Sequence, residues 1–155
     1  MREVELAEAM KEGMRRLASG VSVVSACAGQ GMRTAMTATS VTSVSDTPAS
    51  LLVCINRETS MHNILAKGGD FAVNLLHHEQ MNISNHCAMG DQGEQRFSLG
   101  KWQAYGEQKV PYLADGLVAF ICRQAKTVTF GTHEIVIGEI LKVMIDDSEE
   151  TWNLF

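Results

Sequence analysis

Short, β-branched runs follow one another along most of this chain, with too little helix between them for the strand-helix alternation of a parallel sheet. That feature confines the fold to an antiparallel β-barrel or sandwich, mainly β, with short helices packed outside it. Residues 21–26 form one run, ended by the Gly29-Gln30-Gly31 turn, and 33–39 resume in alternating residues, so the two pair as a hairpin. Further runs cover 50–56, 71–76, 117–128 and 133–145. The unbroken centre Leu51-Leu52-Val53-Cys54-Ile55 predicts a central strand covered on both faces. Gly138 interrupts the last run and marks a bulge or bend. The pattern predicts about six or seven strands.

Helices are fewer. Leu6, Met10, Met14 and Leu17 recur at helical spacing among charged residues, which predicts an amphipathic helix over 4–17 weakened at Gly13. Thr59 or Ser60 caps a short helix running through Lys67, which Gly68 and Gly69 terminate. A second short helix is expected over 79–87. Residues 88–116 are rich in Gly, Gln and charge, with Phe97, Trp102 and Tyr105 as isolated anchors, and read as a long excursion carrying at most one short strand. At 155 residues the chain is the size of one domain, residues 1–155.

Several function classes drop out. A net charge of −5 with scattered Lys and Arg argues against nucleic acid as a partner. The longest apolar run, 51–55, is far short of the roughly 20 residues that cross a bilayer, and 1–16 alternates charges where a signal peptide has an apolar core, so a cytoplasmic protein away from the membrane is expected. Cys27, Cys54, Cys87 and Cys122 contain no C-x-x-C pair and read as free thiols. No metal site is expected: His62, His77, His78, His86 and Cys87 lack a zinc spacing. Gly29-x-Gly31-x-x-Thr34 lacks the third glycine and the following helix of a dinucleotide fingerprint, and reads as a hairpin turn.

Two segments carry chemistry. The stretch 36–45 is crowded with Thr and Ser hydroxyls that suit a phosphate and the polar edge of a heterocycle, although a solvated edge strand would look the same. In Phe130-Gly131-Thr132-His133 a histidine sits at the lip of a strand, either as a polar anchor or as a structural residue.

Taken in order, six pieces resemble the short-chain flavin reductases that serve two-component monooxygenases: 18–24, 37–48, 51–56, 71–76, Arg96-Phe97 and Gly131-Thr132-His133. Within that family the likeness runs nearest to the reductase component of 4-hydroxyphenylacetate 3-monooxygenase and the flavin reductase of pyrimidine utilisation. The resemblance implies an FMN-binding split β-barrel of Greek-key topology, a homodimer, and reduction of FMN or FAD by NADH, with NADPH possible, the reduced flavin diffusing to a flavin-dependent monooxygenase. By that likeness Thr37, Ala38, Thr39 and Ser40 line the isoalloxazine. Cys54, Ile55 and Asn56, with Thr59 and Ser60, hold the ribityl chain and phosphate, with Arg57 available to add charge. Ala72, Asn74 and Phe97 lie close to the flavin, and His133 falls at the nicotinamide site. No catalytic residue is implied, since hydride passes between the cofactors. Many relatives carry Asp where this chain has Thr132. The residues leave two other readings open on the same barrel: a non-catalytic flavin or haem binder, and an oxidoreductase that keeps its flavin and reduces an organic substrate.

Overall fold

A computed structural model describes residues 2–29, 31–89 and 93–146. Helix α1 (Glu3–Met14) leads to β1 (Ser22–Cys27) and β2 (Arg33–Ala38), then β3 (Val41–Asp46) and β4 (Ala49–Asn56). After α2 (Ser60–Leu65) come β5 (Phe71–Leu75), α3 (Met81–Ala88), a 3-10 turn (Gly93–Phe97), the pair β6 (Trp102–Tyr105) and β7 (Val110–Leu113), and the long strands β8 (Val118–Phe130) and β9 (His133–Ile145).

Seven strands form one antiparallel sheet in the order β2-β1-β5-β8-β9-β4-β3, and β6 pairs with β7 apart from it. The sheet curls, because Ala38 near one edge, Val53 and Ile55 near the other, and Val24, Phe71, Cys122 and Val136 between them meet in one core. Met61 and Leu65 of α2 close the end of that core. A second core lies on the opposite face of β1 and β2, where Val23 and Ala35 pack against Ile83, Cys87, Phe97 and Leu113. This arrangement is the antiparallel barrel with peripheral helices that the run of β patterns predicts.

Four sequence expectations need correction. The strand covered on both faces is β1, where residues 22–26 are all buried, because α3, the 3-10 turn and the β6–β7 pair lie over its second face. In β4 only alternate residues, Leu51, Val53 and Ile55, are buried, and Leu52 and Cys54 are half-buried. Nine strands are present among the described residues, more than expected. The excess is β3, in the hydroxyl-rich stretch, and one strand of the excursion, which holds two strands of four residues each where at most one was expected, too short to show a pattern. Finally, α1 has the expected periodicity but no buried residue, and Leu6 is 59 % exposed.

The glycine signals hold. Gly29 and Gly31 take positive φ in the first hairpin turn, and Gly68 does so after α2. At Gly138 the constraint is space: a Cβ there would stand 2.7 Å from Phe71 Cζ and 2.8 Å from Cys122 Cβ. The ladder shifts register between Gln124 and Lys126 of β8, beside Gly138's partner, so the expected bulge sits on the neighbouring strand. No helix among the described residues is long and apolar enough to cross a membrane.

Candidate active site

Where β4 ends, short polar side chains turn the backbone sharply. The Asn56 carbonyl accepts from both the backbone N–H and the Oγ1 of Thr59, at 3.2 and 2.7 Å, while Asn56 Oδ1 accepts from the Glu58 N–H at 2.9 Å. Thr59 then caps α2, its Oγ1 accepting from the His62 N–H. Arg57 ties this turn to the tip of the β8–β9 hairpin: its N–H donates to the Thr132 carbonyl and its Nη1 to that of Gly131, both at 3.0 Å. His133 therefore lies in register opposite Asn56. The Thr132 hydroxyl is 2.8 Å from His133 Nδ1 and so fixes the orientation of the ring.

Beside the turn, a cavity of about 380 Å³ is lined by Met36 and Thr37 of β2, by Thr59 and Ser60 at the start of α2, by Cys87 of α3 and by Arg96 of the 3-10 turn, among others. Thr34, buried in β2, joins two of these walls. Its Oγ1 lies 3.2 Å from Ser60 Oγ and accepts from Arg96 Nη1 at 2.8 Å. Arg96 is 8 % exposed, and its buried Nε meets no acceptor among the described residues. An ionised side chain taken out of water with a donor unmet costs several kcal/mol unless something supplies the missing charge and acceptor. Burial pushes the neighbouring Cys87 thiol up to about 11, against the pull of Arg96, so near neutral pH it is an uncharged thiol and cannot be the counter-ion. Arg33 grips Glu94 through Nε and Nη2 and lies 3.9 Å over the Phe97 ring, which meets Trp102 edge-on. These contacts pin the turn that carries Arg96 against β2.

The expected site residues divide. Thr37, Thr59 and Ser60 line the cavity, with Asn56 shaping the turn at its edge. Thr39 and Ser40 are exposed at the end of β2, and Ser40 Oγ reaches the Cys54 carbonyl at 3.2 Å, linking the two strand ends. Ala38 and Ile55 point their side chains into the core, which leaves only their main chain for a ligand. Phe97 is buried in the second core, one residue from the cavity. His133, half-buried, is outside the cavity lining but joined to its edge through Arg57.

Ala72 and Asn74 are not at the cavity. Ala72 packs with Val110 and Ile121, and Asn74 is fully buried, donating to the Val23 carbonyl and Ser25 Oγ and accepting from the Leu113 N–H at 2.8 Å. The bond from Leu113 braces β7 against the sheet, and those to Val23 and Ser25 tie Asn74 of β5 to β1. Arg57, read as the spare cation, is spent on Gly131. The residues that sequence reasoning missed are Arg96 and Thr34. Arg96-Phe97 carried part of the resemblance, but nothing in the pattern says that this arginine is buried.

The arrangement offers hydroxyls, backbone groups and a buried guanidinium whose Nε meets no acceptor around a half-apolar cavity, with no paired acid and base and no activated nucleophile among the described residues. It fits a phosphorylated heterocycle that brings its own redox chemistry, and the orphaned Arg96 Nε is the observation that tests that fit.

Comparison with known proteins points the same way. The "FADH(2)-dependent resorcinol hydroxylase, reductase component" of Rhizobium sp. is 40 % identical over 139 residues, covering 89 % of this chain and 76 % of that one. The "FMN reductase (NADH) RutF" of Pseudomonas syringae is 35 % identical, covering 87 % and 75 %. Among solved structures, the Streptomyces globisporus C-1027 NADH:FAD oxidoreductase superposes with a TM-score of 0.83 at 26 % identity, covering 94 % of this chain and 86 % of that one. The family model described as the flavin reductase like domain matches residues 14–154, and the chain belongs to that family.

Proposed function

We propose that this chain, acting as one domain, is an NAD(P)H-dependent flavin reductase that prefers NADH, reduces FMN or FAD and releases the reduced flavin to a monooxygenase. The observation that carries the reading is the hydroxyl-lined cavity with a buried Arg96 whose Nε meets no acceptor among the described residues, in a chain 40 % identical to a resorcinol hydroxylase reductase component. When bound together, nicotinamide and flavin supply the hydride chemistry between themselves. The protein's part is to hold and align them. Thr37, Thr59 and Ser60 grip the polar parts of the flavin, the exposed end of β2 and the Ser40–Cys54 link border its ring, and His133 orients the nicotinamide. His133 stays in place through Thr132 and the Arg57 tie.

The reading extends to a homodimer. Leu52, Cys54, Ile135 and Ile137 are neighbours across β4 and β9, none of them fully buried, and Val128 and Phe130 lie exposed beside them on β8. A second copy covering this apolar face explains why the 51–55 run is unbroken although the protomer buries only alternate residues. A cytoplasmic setting, where NADH and a monooxygenase are at hand, is in keeping with four cysteines that are all free thiols.

Absorbance decay of NADH in air, with FMN, FAD or no flavin added, tests the proposal. Decay that requires flavin and saturates with it is the expected result. FMN binding without oxidation of NADH or NADPH would instead make the chain a non-catalytic flavin binder. His133→Ala is expected to raise the KM for NADH more than that for flavin, and equal small changes in both would remove His133 from the nicotinamide site.

A further inference from the structure

We propose that a second cavity, between α2 and the bulged part of β8, binds a small neutral ring carrying a hydroxyl group, phenol in its simplest form, and that this occupant steadies the active site. The space is about 340 Å³. Its floor is apolar, because Ile55, Leu65 and Val136 of the main core reach it. Two local features keep it open. An extra residue, Ala125, enters β8 where the ladder shifts register between Gln124 and Lys126, and a bulge bends the strand that carries it. Gln124 then donates from Nε2 to the carbonyls of Leu65 and Gly69, both at 2.8 Å, so the side chain that could fill the gap is fixed as a strut to the end of α2.

The mouth is polar, and its polarity selects the occupant. Glu134 lines it from β9 and His62 from α2. Hydrogen bonds from Thr129 and then Thr127, with His62 and Arg57 within electrostatic reach, hold the Glu134 carboxyl below the ordinary carboxylate value, so it is an ionised acceptor at neutral pH. It repels an anion, and an ammonium gains less there because Arg57 already answers the charge. A neutral hydroxyl donates to it while its ring covers the apolar floor. Glu134 and Val136 point away from the face of Ile135 and Ile137, so a second copy on that face leaves the mouth free.

The two walls belong to the two halves of the active site. The His62 N–H donates to Thr59 Oγ1 at 3.2 Å, in the turn that lines the cavity proposed for the flavin, and Glu134 directly follows His133. An occupant bridging them fixes the start of β9 against α2. This coupling rests on the flavin reductase reading, whereas the binding does not.

The test is calorimetric titration of the full chain, without flavin, with phenol, toluene, benzylamine and benzoate. Phenol is expected to bind with a Kd of about 0.1–1 mM, within reach of so small a molecule. The other three should bind at least about tenfold more weakly, each lacking the hydroxyl or carrying a charge. Ala66→Trp, which places an indole on an exposed lining residue, should abolish phenol binding. Glu134→Gln should weaken it by about three- to tenfold, and it decides the matter even if Ala66→Trp does not fold. Toluene binding as tightly as phenol would make the cavity a mere apolar gap, benzylamine binding more tightly would make it a cation site, and unchanged phenol binding in both variants would place phenol elsewhere; each overturns the proposal. Steady-state kinetics then read the coupling: saturating phenol should lower the KM for NADH by about two- to fivefold in the parent and leave it unchanged in Ala66→Trp. An unchanged KM in the parent would overturn the coupling alone. A parent that binds phenol and reduces no flavin would overturn the reductase reading and the coupling while leaving the binding site in place.

Discussion

The first hairpin and the last are built from similar β-patterned sequence and meet opposite fates. In β1, residues 22–26 are buried on both faces, because α3, the 3-10 turn and the β6–β7 pair cover the side turned away from the main core. In β8, everything from Arg123 to the tip escapes full burial, with Val128 41 % and Phe130 81 % exposed. The difference lies in what else the chain lays over each hairpin. The same apolar alternation is core where the chain covers it and stays an exposed apolar face, the one proposed to meet a second copy, where it does not.

Substitutions in and out of the core separate the two fates. The largest effect is expected from Phe71→Ala, which empties the centre of the main core: about 3–5 kcal/mol lost in denaturant unfolding. A loss under about 1 kcal/mol would mean that the sheet does not close around this ring. Gly138→Ala should cost about 1–3 kcal/mol, because the added methyl meets Phe71 and Cys122. Phe71→Leu should recover part of that loss in a double-mutant cycle, and strict additivity would argue against the clash.

At the exposed end the measurement changes from stability to association. Phe130→Asp should leave protomer unfolding within about 0.5 kcal/mol of the parent while shifting sedimentation from dimer to monomer. A variant that sediments like the parent would place the interface elsewhere.

The smallest effect is in the buried thiols. Burial pushes Cys87 up to about 11 and Cys122 up to about 12 from an ordinary 9.0. Each keeps its proton to higher pH in the folded chain than in the unfolded one, so their contribution to stability is complete below pH 9.0 and declines as pH rises toward those values. Alkylation at pH 8 should accordingly spare both while reaching half-buried Cys27 and Cys54 first, and rapid modification of Cys122 in the native protein would contradict its burial.

Legibility followed the range of the interactions. Thr59 as a helix cap, Gly68 as a helix stop and the Gly29–Gly31 turn were readable because each is settled within a few residues by backbone sterics and one hydrogen bond. The β6–β7 pair was not, since its strands have four residues each and one contains Pro111. What holds it is Ser25 and Asn74, distant in sequence, bonding to Pro111 and Leu113. For the same reason Asn74 looked like a ligand residue in its motif and is a brace in the fold.

The site shows the same division. Its hydroxyl-rich composition, its histidine at a strand lip and its family likeness were in the sequence, as was the antiparallel barrel, because residue type and period are local properties. Only the tertiary structure decided that Thr37 enters the cavity while Ala38 turns into the core, that Arg57 is spent on a hairpin tip, and that Arg96 is the buried cation. Whether a charge is buried, and which partner it meets, depends on chain segments brought together from far apart, and no local pattern records that.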